Sequence, residues 1–496
     1  MRKSQTLSQQ PPGMWRGWFN SIAMALAVLV LAALLDACGG GQDVAGVGSG
    51  GTGVASGTVS GFGSVIVDGV EYADTNATVQ RQDASGLLRN TDVALGQRVR
   101  LTYQVGNSVN TAQAIDVVAQ LAGPVSAVPD VHGWMQVLGQ WVRVVNTTGD
   151  STRSDPTVLA GYSSTHAIAS ADPVEVFGTW VWDGSKSAYV LVATRIEKLT
   201  AMPDPVQLGG VVQSLSGDGF RLNAPAGTRV QSGALPTGLA NGQVVQVWTS
   251  AASTSPVIAS RVLRSEAAVA ELGSQQSLRL SGLATQYDAV ARTLVVQGTA
   301  VQLAPDVVVD TAALARGEFV SLQVQRVGNK LVASAATCRS GSADHGDLGG
   351  TKVLKGVTSG IDWTASSVRF TLRGVDVQAA AATIASSCRS VALARDVSVR
   401  VEGQAQAPGQ PVTATQVTCS LDVAADAVVQ RRGQVLSANT STRSLVLRTA
   451  QGDIPATWDS KTYFAQSPDT LVGRQVQAEG LLKGSTLQLR TVRLAP

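Results

Sequence analysis

The sequence predicts an all-β protein made of six small barrels in tandem, and two observations indicate this. A pattern of a short strand, a polar turn, an alternating strand and a hairpin recurs along the chain. Apolar residues make up 44% of the composition and glycine supplies 51 of the 496 residues, while apolar stripes with helical spacing are few. This composition provides enough apolar side chains for several cores and favours short strands joined by tight turns.

The repeats begin at glycines. Five copies are clear: "GTVSGFGSVIVDGVEY" at Gly57, "GVVQSLSGDGFRLNAPAGTRV" at Gly210, "GLATQYDAVARTLVVQGTAVQL" at Gly282, "GVTSGIDWTASSVRFTLRGVDV" at Gly356 and "GQVLSANTSTRSLVLRTAQGDI" at Gly433. A weaker, longer copy begins at Gly123, so the intervals are 66, 87, 72, 74 and 77 residues. Because these intervals exceed those of ordinary solenoid repeats, we expect separate small domains, each with its own core.

Each repeat contains five predicted strands. A second signature, L-x-x-G-x-x-V or close to it, follows the opening hairpin, as in "LGQRVRL" at Leu95, "LARGEFVSL" at Leu314, "LARDVSVRV" at Leu393 and "LVGRQVQAEG" at Leu471. In the first repeat, period-two alternation places strands at 58–60, 64–68, 70–73, 98–103 and 112–118. A polar connector after the third strand, "DTAALARG" in the fourth repeat, is long enough for a helical turn. This order predicts an OB-like barrel, with a string of small β-sandwiches as the alternative.

The motifs "GTVSGFGSVIVDGV" and "LGQRVRL" resemble the family called domain of unknown function 5666, which occurs in bacterial envelope lipoproteins. The likeness covers nearly all of the chain from Gly57 to Pro496, and the family carries no agreed catalytic residues. The predicted organisation is a signal peptide (1–37), a glycine-rich tether (38–56), repeats at 57–120, 121–203, 204–273 and 274–340, a linker (341–349), and repeats at 350–423 and 424–496.

The N-terminus predicts a cleaved export signal. Arg2, Lys3 and Arg16 precede an apolar stretch at 22–35. That stretch has about 14 residues, whereas a membrane-spanning helix needs roughly 20. An ordinary secretory signal or an uncleaved anchor is the alternative to the lipoprotein signal described next.

Leu35, Asp36, Ala37 and Cys38 resemble the bacterial lipobox, although Asp36 replaces the usual small residue. The resemblance implies cleavage before Cys38 and acylation of its thiol and its new amine, which anchors the chain to a lipid bilayer. Gly39 follows the cysteine where an aspartate favours inner-membrane retention, so we expect the outer membrane of the bacterial envelope.

The charge and the absence of motifs weaken the case for several functions. The formal net charge is +3, and about +1 without the signal peptide, so there is no electrostatic case for nucleic acid as a partner. No H-E-x-x-H, G-x-S-x-G or Walker sequence occurs, and we expect a non-enzymatic protein without a cofactor or a metal. Asp344, His345 and Asp347 offer metal-binding side chains in "SADHGDLGG", but a linker explains this segment better.

The second repeat departs most from the pattern, with an insertion near 148–169, and it collects aromatic residues. Four of the seven tryptophans beyond Cys38 lie here, at Trp134, Trp141, Trp180 and Trp182, together with Tyr162. Tyr189, His132 and His166 join them. Trp180 and Trp182 lie on the same face of one predicted strand, and such a face stacks on sugar rings or bases. The pattern favours the plainer interpretation, a larger core for a longer repeat.

Three cysteines follow Cys38, and export permits disulfides. Cys338 and Cys419 occupy the same position in two successive closing strands, whereas Cys388 lies in the connector of the fifth repeat. We predict a bond between Cys388 and Cys419 within one repeat. A bond between Cys338 and Cys388, which would join two repeats, is the alternative.

Three functions remain from different classes. A binding or adhesion module predicts that its ligand, a glycan, peptidoglycan or an envelope protein, contacts the second repeat. A structural spacer or scaffold predicts an extended rod without a ligand. An enzyme predicts a deep pocket with clustered ionisable groups. Repetition favours the first two, because repeated weak contacts add by avidity and repeated domains extend reach.

Overall fold

A computed structural model describes residues 52–68, 70–106, 109–145, 156–250, 255–265, 277–296, 299–309, 319–328, 330–339, 352–364, 366–372, 375–385, 388, 398–405, 407–420, 428–449 and 452–495. These residues form strands with a few short 3-10 helices, which confirms the all-β class. None of the described residues belongs to a helix long and apolar enough to cross a membrane. The predicted signal peptide, Cys38 and the linker with His345 lie outside the described residues.

The strands form six successive sets, which we call barrels 1 to 6. Barrel 1 contains β1 (Thr52–Phe62), β2 (Val65–Val67), β3 (Val70–Ala73), β4 (Thr78–Gln82), β5 (Leu88–Asn90), β6 (Arg98–Gln104) and β7 (Asn110–Val117). Barrel 2 contains β8 (Leu121–Ala127), β9 (Trp134–Val137), β10 (Gln140–Val144), β11 (Val158–Ala160), β12 (Pro173–Asp183) and β13 (Ala188–Lys198). Barrel 3 contains β14 (Val206–Ser216), β15 (Gly219–Leu222), β16 (Arg229–Gln231), β17 (Val244–Thr249), β18 (Val257–Ile258) and β19 (Arg261–Arg264).

The second half of the chain repeats this plan. Barrel 4 contains β20 (Ser277–Asp288), β21 (Thr293–Val296), β22 (Thr299–Leu303), β23 (Phe319–Val327) and β24 (Lys330–Arg339). Barrel 5 contains β25 (Lys352–Trp363), β26 (Ser367–Leu372), β27 (Val375–Ala380), β28 (Ser398–Ala405) and β29 (Val412–Ser420). Barrel 6 contains β30 (Val428–Asn439), β31 (Ser444–Thr449), β32 (Gly452–Thr457), β33 (Tyr463–Phe464), β34 (Gln475–Lys483) and β35 (Thr486–Leu494).

All six sets close in the same cyclic order. In barrel 1, β1 pairs with β2, β2 with β3, β3 with β7, β7 with β6, and β6 with β1. Among these five pairs of the ring, only β3–β7 is parallel. The same ring of pairs recurs in barrel 2, barrel 3 with its last strand split into β18 and β19, and barrels 4, 5 and 6. This order is that of the predicted OB-like barrel.

The first strand of each barrel changes partner along its length. Residues 52–58 of β1 pair with β6, whereas Val59, Gly61 and Phe62 pair with β2, with a register shift between Val59 and Gly61. A register shift occurs between the first and second strands of the other five barrels as well. Such a shift bends the strand and increases its twist, which lets five short strands close.

In three barrels, a second register shift lies at a glycine of the fourth strand, where that strand pairs with the fifth. Register shifts occur at Gly178, Gly403 and Gly480, where the fourth strand pairs with the fifth. A Cβ atom on these glycines would lie 2.2, 2.5 and 2.1 Å from a backbone carbonyl oxygen of the fifth strand. A larger residue at these positions would therefore push the two strands apart.

The connector between the third and fourth strands differs between barrels. We expected a helical turn, and short 3-10 helices do occur at Thr165–Ala167, Ala381–Thr383 and Pro468–Leu471. In barrel 1 the connector instead forms the β4–β5 hairpin. The segment "DTAALARG" lies outside the described residues. Strand β1 also begins at Thr52, so residues 52–56, which we assigned to the tether, belong to barrel 1.

Barrel 1 contacts the other five barrels, although barrels 2, 3, 4 and 6 each have a hydrophobic cluster made largely of their own residues. Strand β1 continues past its own barrel, and Gly53–Ala55 pair in parallel with residues 279–281 of β20 in barrel 4. Phe62 of barrel 1 pairs with Leu354 of barrel 5, and both side chains belong to one continuous hydrophobic core. These contacts involve backbone and apolar side chains that period-two patterns cannot assign to a partner.

Arginine side chains join barrel 1 to barrels 2 and 3. The Arg81 guanidinium forms two hydrogen bonds with the Glu175 carboxylate of barrel 2, which is almost fully buried. Burial alone would lower the pKa of Arg81, but the charge and hydrogen bonds of Glu175, with smaller contributions from Glu197 and Tyr463, together raise it. Arg261 of barrel 3 donates to the backbone oxygen of Asp83 at 3.0 Å.

Barrel 6 returns to barrel 1 through two ion pairs. Arg490 donates to the Asp74 carboxylate at 3.2 Å, and these side chains are only 15% and 7% exposed. Arg493 pairs with Asp92, and burial lowers the pKa of Arg493. The last barrel is thereby fixed to the first, which an extended rod does not allow.

The predicted disulfide between Cys388 and Cys419 is confirmed. The two Cα atoms lie 4.9 Å apart, and Cys388 is buried beside the closing strand β29. The bond therefore ties the connector of barrel 5 to its own fifth strand. The alternative bond from Cys388 to Cys338 is not formed.

We predict that Gly178→Ala destabilises the protein by about 2–3 kcal/mol, because its Cβ would overlap the Val192 carbonyl oxygen. Urea unfolding followed by circular dichroism measures the change. Gly184→Ala is the matched control on the same hairpin, since no heavy atom lies within 4 Å of its added Cβ. Equal stability of the two variants would show that the close approach at Gly178 does not constrain the barrel.

We predict that Cys419→Ser lowers the free energy of unfolding by about 3–4 kcal/mol, because a crosslink over 31 residues restricts the unfolded chain. Thermal unfolding with and without reductant measures the effect, and Cys338→Ser is the control. Reductant should destabilise the wild type but not Cys419→Ser. A reductant effect that persists in Cys419→Ser would refute the assignment.

We predict that Asp74→Asn lowers the free energy of unfolding by about 3 kcal/mol, because the buried Arg490 loses its counter-charge. The double variant Asp74→Leu with Arg490→Met should recover most of this loss, as apolar replacements of buried pairs often do. Arg448→Met, which breaks an exposed pair with Asp453 in barrel 6, is the control and should leave stability unchanged. Calorimetry measures all three, and no difference between Asp74→Asn and the control would contradict the prediction.

Candidate functional site

The candidate site lies on the outside of barrel 2, where the β9–β10 hairpin carries two tryptophans. Side chains alternate along these strands. Met135 of β9 and Val142 of β10 point into the barrel and are fully buried, whereas Trp134 and Trp141 are partly exposed. The strand pattern thus places both indoles on the outer face of the second and third strands.

Trp134 and Trp141 form a right-angled corner around an ammonium group. Their ring centroids lie 6.2 Å apart with an angle of 82° between the planes. The Lys186 Nζ atom lies 4.1 Å from the centroid of Trp141 and 4.8 Å from that of Trp134. The Arg143 guanidinium lies 5.0 Å from the Trp134 centroid. All three distances are within the range of cation–π attraction. We call Trp134 and Trp141 the tryptophan corner.

Lys186 reaches the corner from the turn that joins β12 and β13. Asp183 Oδ1 accepts hydrogen bonds from the Ser185 hydroxyl at 2.6 Å and from the Lys186 backbone N–H at 3.0 Å. The hydrogen bond from the Ser185 hydroxyl is the largest cause of an Asp183 pKa below its usual range. The backbone N–H groups of Lys186 and Ser185 lower this pKa further. The backbone of the turn is therefore fixed by hydrogen bonds, while the long Lys186 side chain spans the distance to the indoles.

A carboxylate from the loop between β8 and β9 lies close to the same corner. Asp130 Oδ1 accepts the backbone N–H groups of His132 and Trp134, each at 2.8 Å. The Trp134 N–H is the largest cause of a lowered Asp130 pKa, and the positive charge of Lys186 contributes to it. Asp130 is thus ionised at neutral pH, and its negative charge attracts the ammonium group of Lys186.

Trp182 and Tyr189 form a second aromatic pair on the hairpin that carries Lys186. Their rings meet edge to face, with centroids 5.3 Å apart. Trp182 is 51% exposed, a large fraction for an indole. Lys186 lies between them in the sequence and contacts the tryptophan corner, so one hairpin links both pairs. We call Trp134, Trp141, Trp182 and Tyr189 the aromatic surface.

Trp180 and Tyr162 do not belong to this surface. Trp180 is only 6% exposed, and its indole N–H donates to Gln120 at 3.0 Å. Tyr162 is buried and donates to Asp172 at 2.9 Å, and burial raises its pKa. Both rings pack in the core of barrel 2. For these two residues the structure agrees with the plainer interpretation, a larger core for a longer repeat. Trp182 differs because the hairpin extends beyond the end of the barrel, where no core covers it.

The sequence did not identify the charged partners of the aromatic residues. Lys186, Arg143 and Asp130 carry no motif, and only the folded hairpins bring them to the indoles. The two histidines of the sequence prediction are exposed, His132 in the β8–β9 loop and His166 in the 3-10 helix Thr165–Ala167. Within the described ranges there is no group of three His, Cys, Asp or Glu side chains that fits a metal ion.

The aromatic surface combines the second and third strands with the loop between the fourth and fifth strands. In OB barrels this face and its loops bind oligonucleotides and oligosaccharides. Chemically, the surface offers exposed ring faces, two cations and one carboxylate. It can therefore stack on flat or apolar faces and pair with charged groups.

Comparisons with known proteins leave the family open. No family model and no curated protein matches the chain, so the resemblance to domain of unknown function 5666 stays a prediction. Among solved structures, silver-bound CusF from Escherichia coli matches with 14% identity and a TM-score of 0.13, covering 15% of this chain and 98% of CusF. A multidomain protein with nucleic acid binding domains from Streptococcus pneumoniae matches with 12% identity and a TM-score of 0.11, covering 44% and 73%. Likenesses of this size carry no argument about function.

Proposed function

We propose that this chain is a non-enzymatic, lipid-anchored binding protein of the bacterial envelope that recognises a glycan through the aromatic surface of barrel 2. The exposure of Trp182 is the observation that carries this proposal. A tryptophan that is half exposed, beside a second ring, has no structural task in the core. Its free face is available to a ligand.

The electrostatics favour a glycan over a nucleic acid. A protein that binds single-stranded nucleic acid pairs its stacking residues with a basic groove along the backbone. Here the formal charge of the whole chain is only +3. Near the corner, Asp130 and Asp183 offset Lys186 and Arg143. A sugar ring, which stacks its apolar face on an indole and has no phosphate backbone, matches this balance of charges better.

The N-terminal sequence supports the location. The segment Leu35 to Cys38 resembles a lipobox, which implies an acylated Cys38 and a lipid anchor. A protein anchored in the envelope meets peptidoglycan and surface glycans directly. The outer membrane is the proposed membrane, because Gly39 follows the acylated residue.

The compact arrangement weakens the alternative of a reach-extending spacer. A spacer gains length by keeping its domains in line, whereas barrel 1 contacts the other five barrels and barrel 6 returns to it. The enzyme alternative has no support from the aromatic surface, which presents cations and rings rather than a nucleophile with its base.

We predict that Trp182→Ala reduces glycan binding at least about tenfold, because the exposed ring supplies the stacking face. The full chain is screened against an array of peptidoglycan fragments and surface glycans, with oligonucleotides as a second set. Trp458→Ala is the matched control, since this partly exposed tryptophan of barrel 6 also packs edge to face, against Phe464.

Binding lost only in Trp182→Ala supports the proposal. Equal loss in both variants, or no glycan bound by the wild type, overturns it. Oligonucleotides bound in place of glycans would overturn the ligand class and keep the site.

A further inference from the structure

The tryptophan corner holds an ammonium group in the manner of a binding site, and that ammonium group belongs to the chain itself. Two perpendicular indoles contact one nitrogen atom, Lys186 Nζ, at 4.1 and 4.8 Å. A single cation–π contact needs only one ring. Two rings at 82° enclose a cation from two sides and leave the others open.

A carboxylate completes the arrangement. Asp130 is fixed by two backbone N–H groups, one of them from Trp134 itself, so its position relative to the corner is set by the same residue. Aromatic walls with a nearby carboxylate are the chemistry that recognises quaternary and methylated ammonium groups. The corner supplies the aromatic walls, and the Asp130 carboxylate, bonded to the Trp134 backbone N–H, adds an electrostatic attraction for the ammonium group.

The occupant is attached by a flexible stem. Lys186 lies on a surface turn, and its four methylene groups give it many alternative conformations in water. The backbone of the turn is held by Asp183 and does not depend on where the ammonium group lies. Lys186 can therefore leave the corner without unfolding the hairpin.

We infer that the tryptophan corner is a binding site for an organic ammonium group, such as a choline or other quaternary ammonium group of a ligand, and that Lys186 occupies it as an internal competitor. This names a chemical group recognised by the aromatic surface and therefore rests on the proposed function. A ligand must displace Lys186, so its apparent affinity equals the intrinsic affinity multiplied by the fraction of molecules in which the corner is open.

The experiment titrates the full chain with choline by isothermal calorimetry. Its neutral isostere, 3,3-dimethylbutan-1-ol, has the same shape without the charge. We compare the wild type with Lys186→Ala and Lys186→Met, and with Lys186→Ala combined with Trp141→Ala. Lys330→Ala is the matched control, because this exposed lysine of barrel 4 contacts Gln302 and no ring.

We expect Lys186→Ala and Lys186→Met to bind choline roughly tenfold more tightly than the wild type, since the competitor is gone. Trp141→Ala should abolish that binding, the isostere should not bind, and Lys330→Ala should behave as the wild type. Unchanged or absent choline binding in both Lys186 variants overturns the inference. Equal binding of the isostere also overturns it, because the corner is then only an apolar surface.

Two further measurements distinguish a free choline headgroup from a lipid surface, and this inference from the proposed function. Phosphocholine in solution and vesicles of phosphatidylcholine distinguish a free headgroup from a lipid surface, and binding of either by the Lys186 variants supports the inference. The glycan array with Trp182→Ala is measured in parallel. Glycan binding that depends on Trp182, without any ammonium binding, refutes this inference and leaves the proposed function standing.

Discussion

Five short strands close into a barrel only if the first strand pairs on both sides and changes partner along its length. In barrel 1 a side-chain hydrogen bond supports this change, because Asp68 Oδ1 accepts the Thr58 N–H at 3.0 Å. In barrel 3, Asn223 Oδ1 accepts the Val211 N–H at 2.9 Å in the same way. The preceding residues, Gly57 and Gly210, must lack a Cβ, which would lie 2.0 and 2.3 Å from those side chains. In barrels 1 and 3 the repeat begins with glycine for this steric reason.

Closure also explains how the barrels associate. A closed barrel leaves few free strand edges, so neighbouring barrels meet mainly through side chains. Two of the described strands also pair with strands of other barrels. Strand β1 pairs with β20 and β25, and β14 of barrel 3 pairs with β8 of barrel 2. Elsewhere buried ion pairs such as Arg490 with Asp74 join the barrels. Pairs of this kind add little net stability but penalise wrong partners strongly, so they specify which surfaces meet.

The sequence predicted the repeated part of the fold well and the contacts between repeats poorly. Period-two alternation located the five barrel strands of the first repeat, and the position of Cys388 against Cys419 indicated their bond. The sequence did not indicate that Arg81 pairs with Glu175, which lies 94 residues away, because a charged residue in a sequence does not identify its partner. Alternation likewise placed Trp180 and Trp182 on one face, but it does not tell where the barrel ends, and the core covers only Trp180.

The division between closure and recognition has a functional consequence. The residues that close barrel 2 point inward or lie at register shifts, whereas Trp134, Trp141 and Lys186 lie outside the core and in a turn. Their contacts with each other are weak enough to exchange for contacts with a ligand, since a solvent-exposed cation–π pair contributes only about 0.5–1 kcal/mol. The barrel therefore stays intact while Lys186 moves. A rigid scaffold that carries an exchangeable internal cation can bind a ligand without a change of fold, because only one side chain has to be displaced.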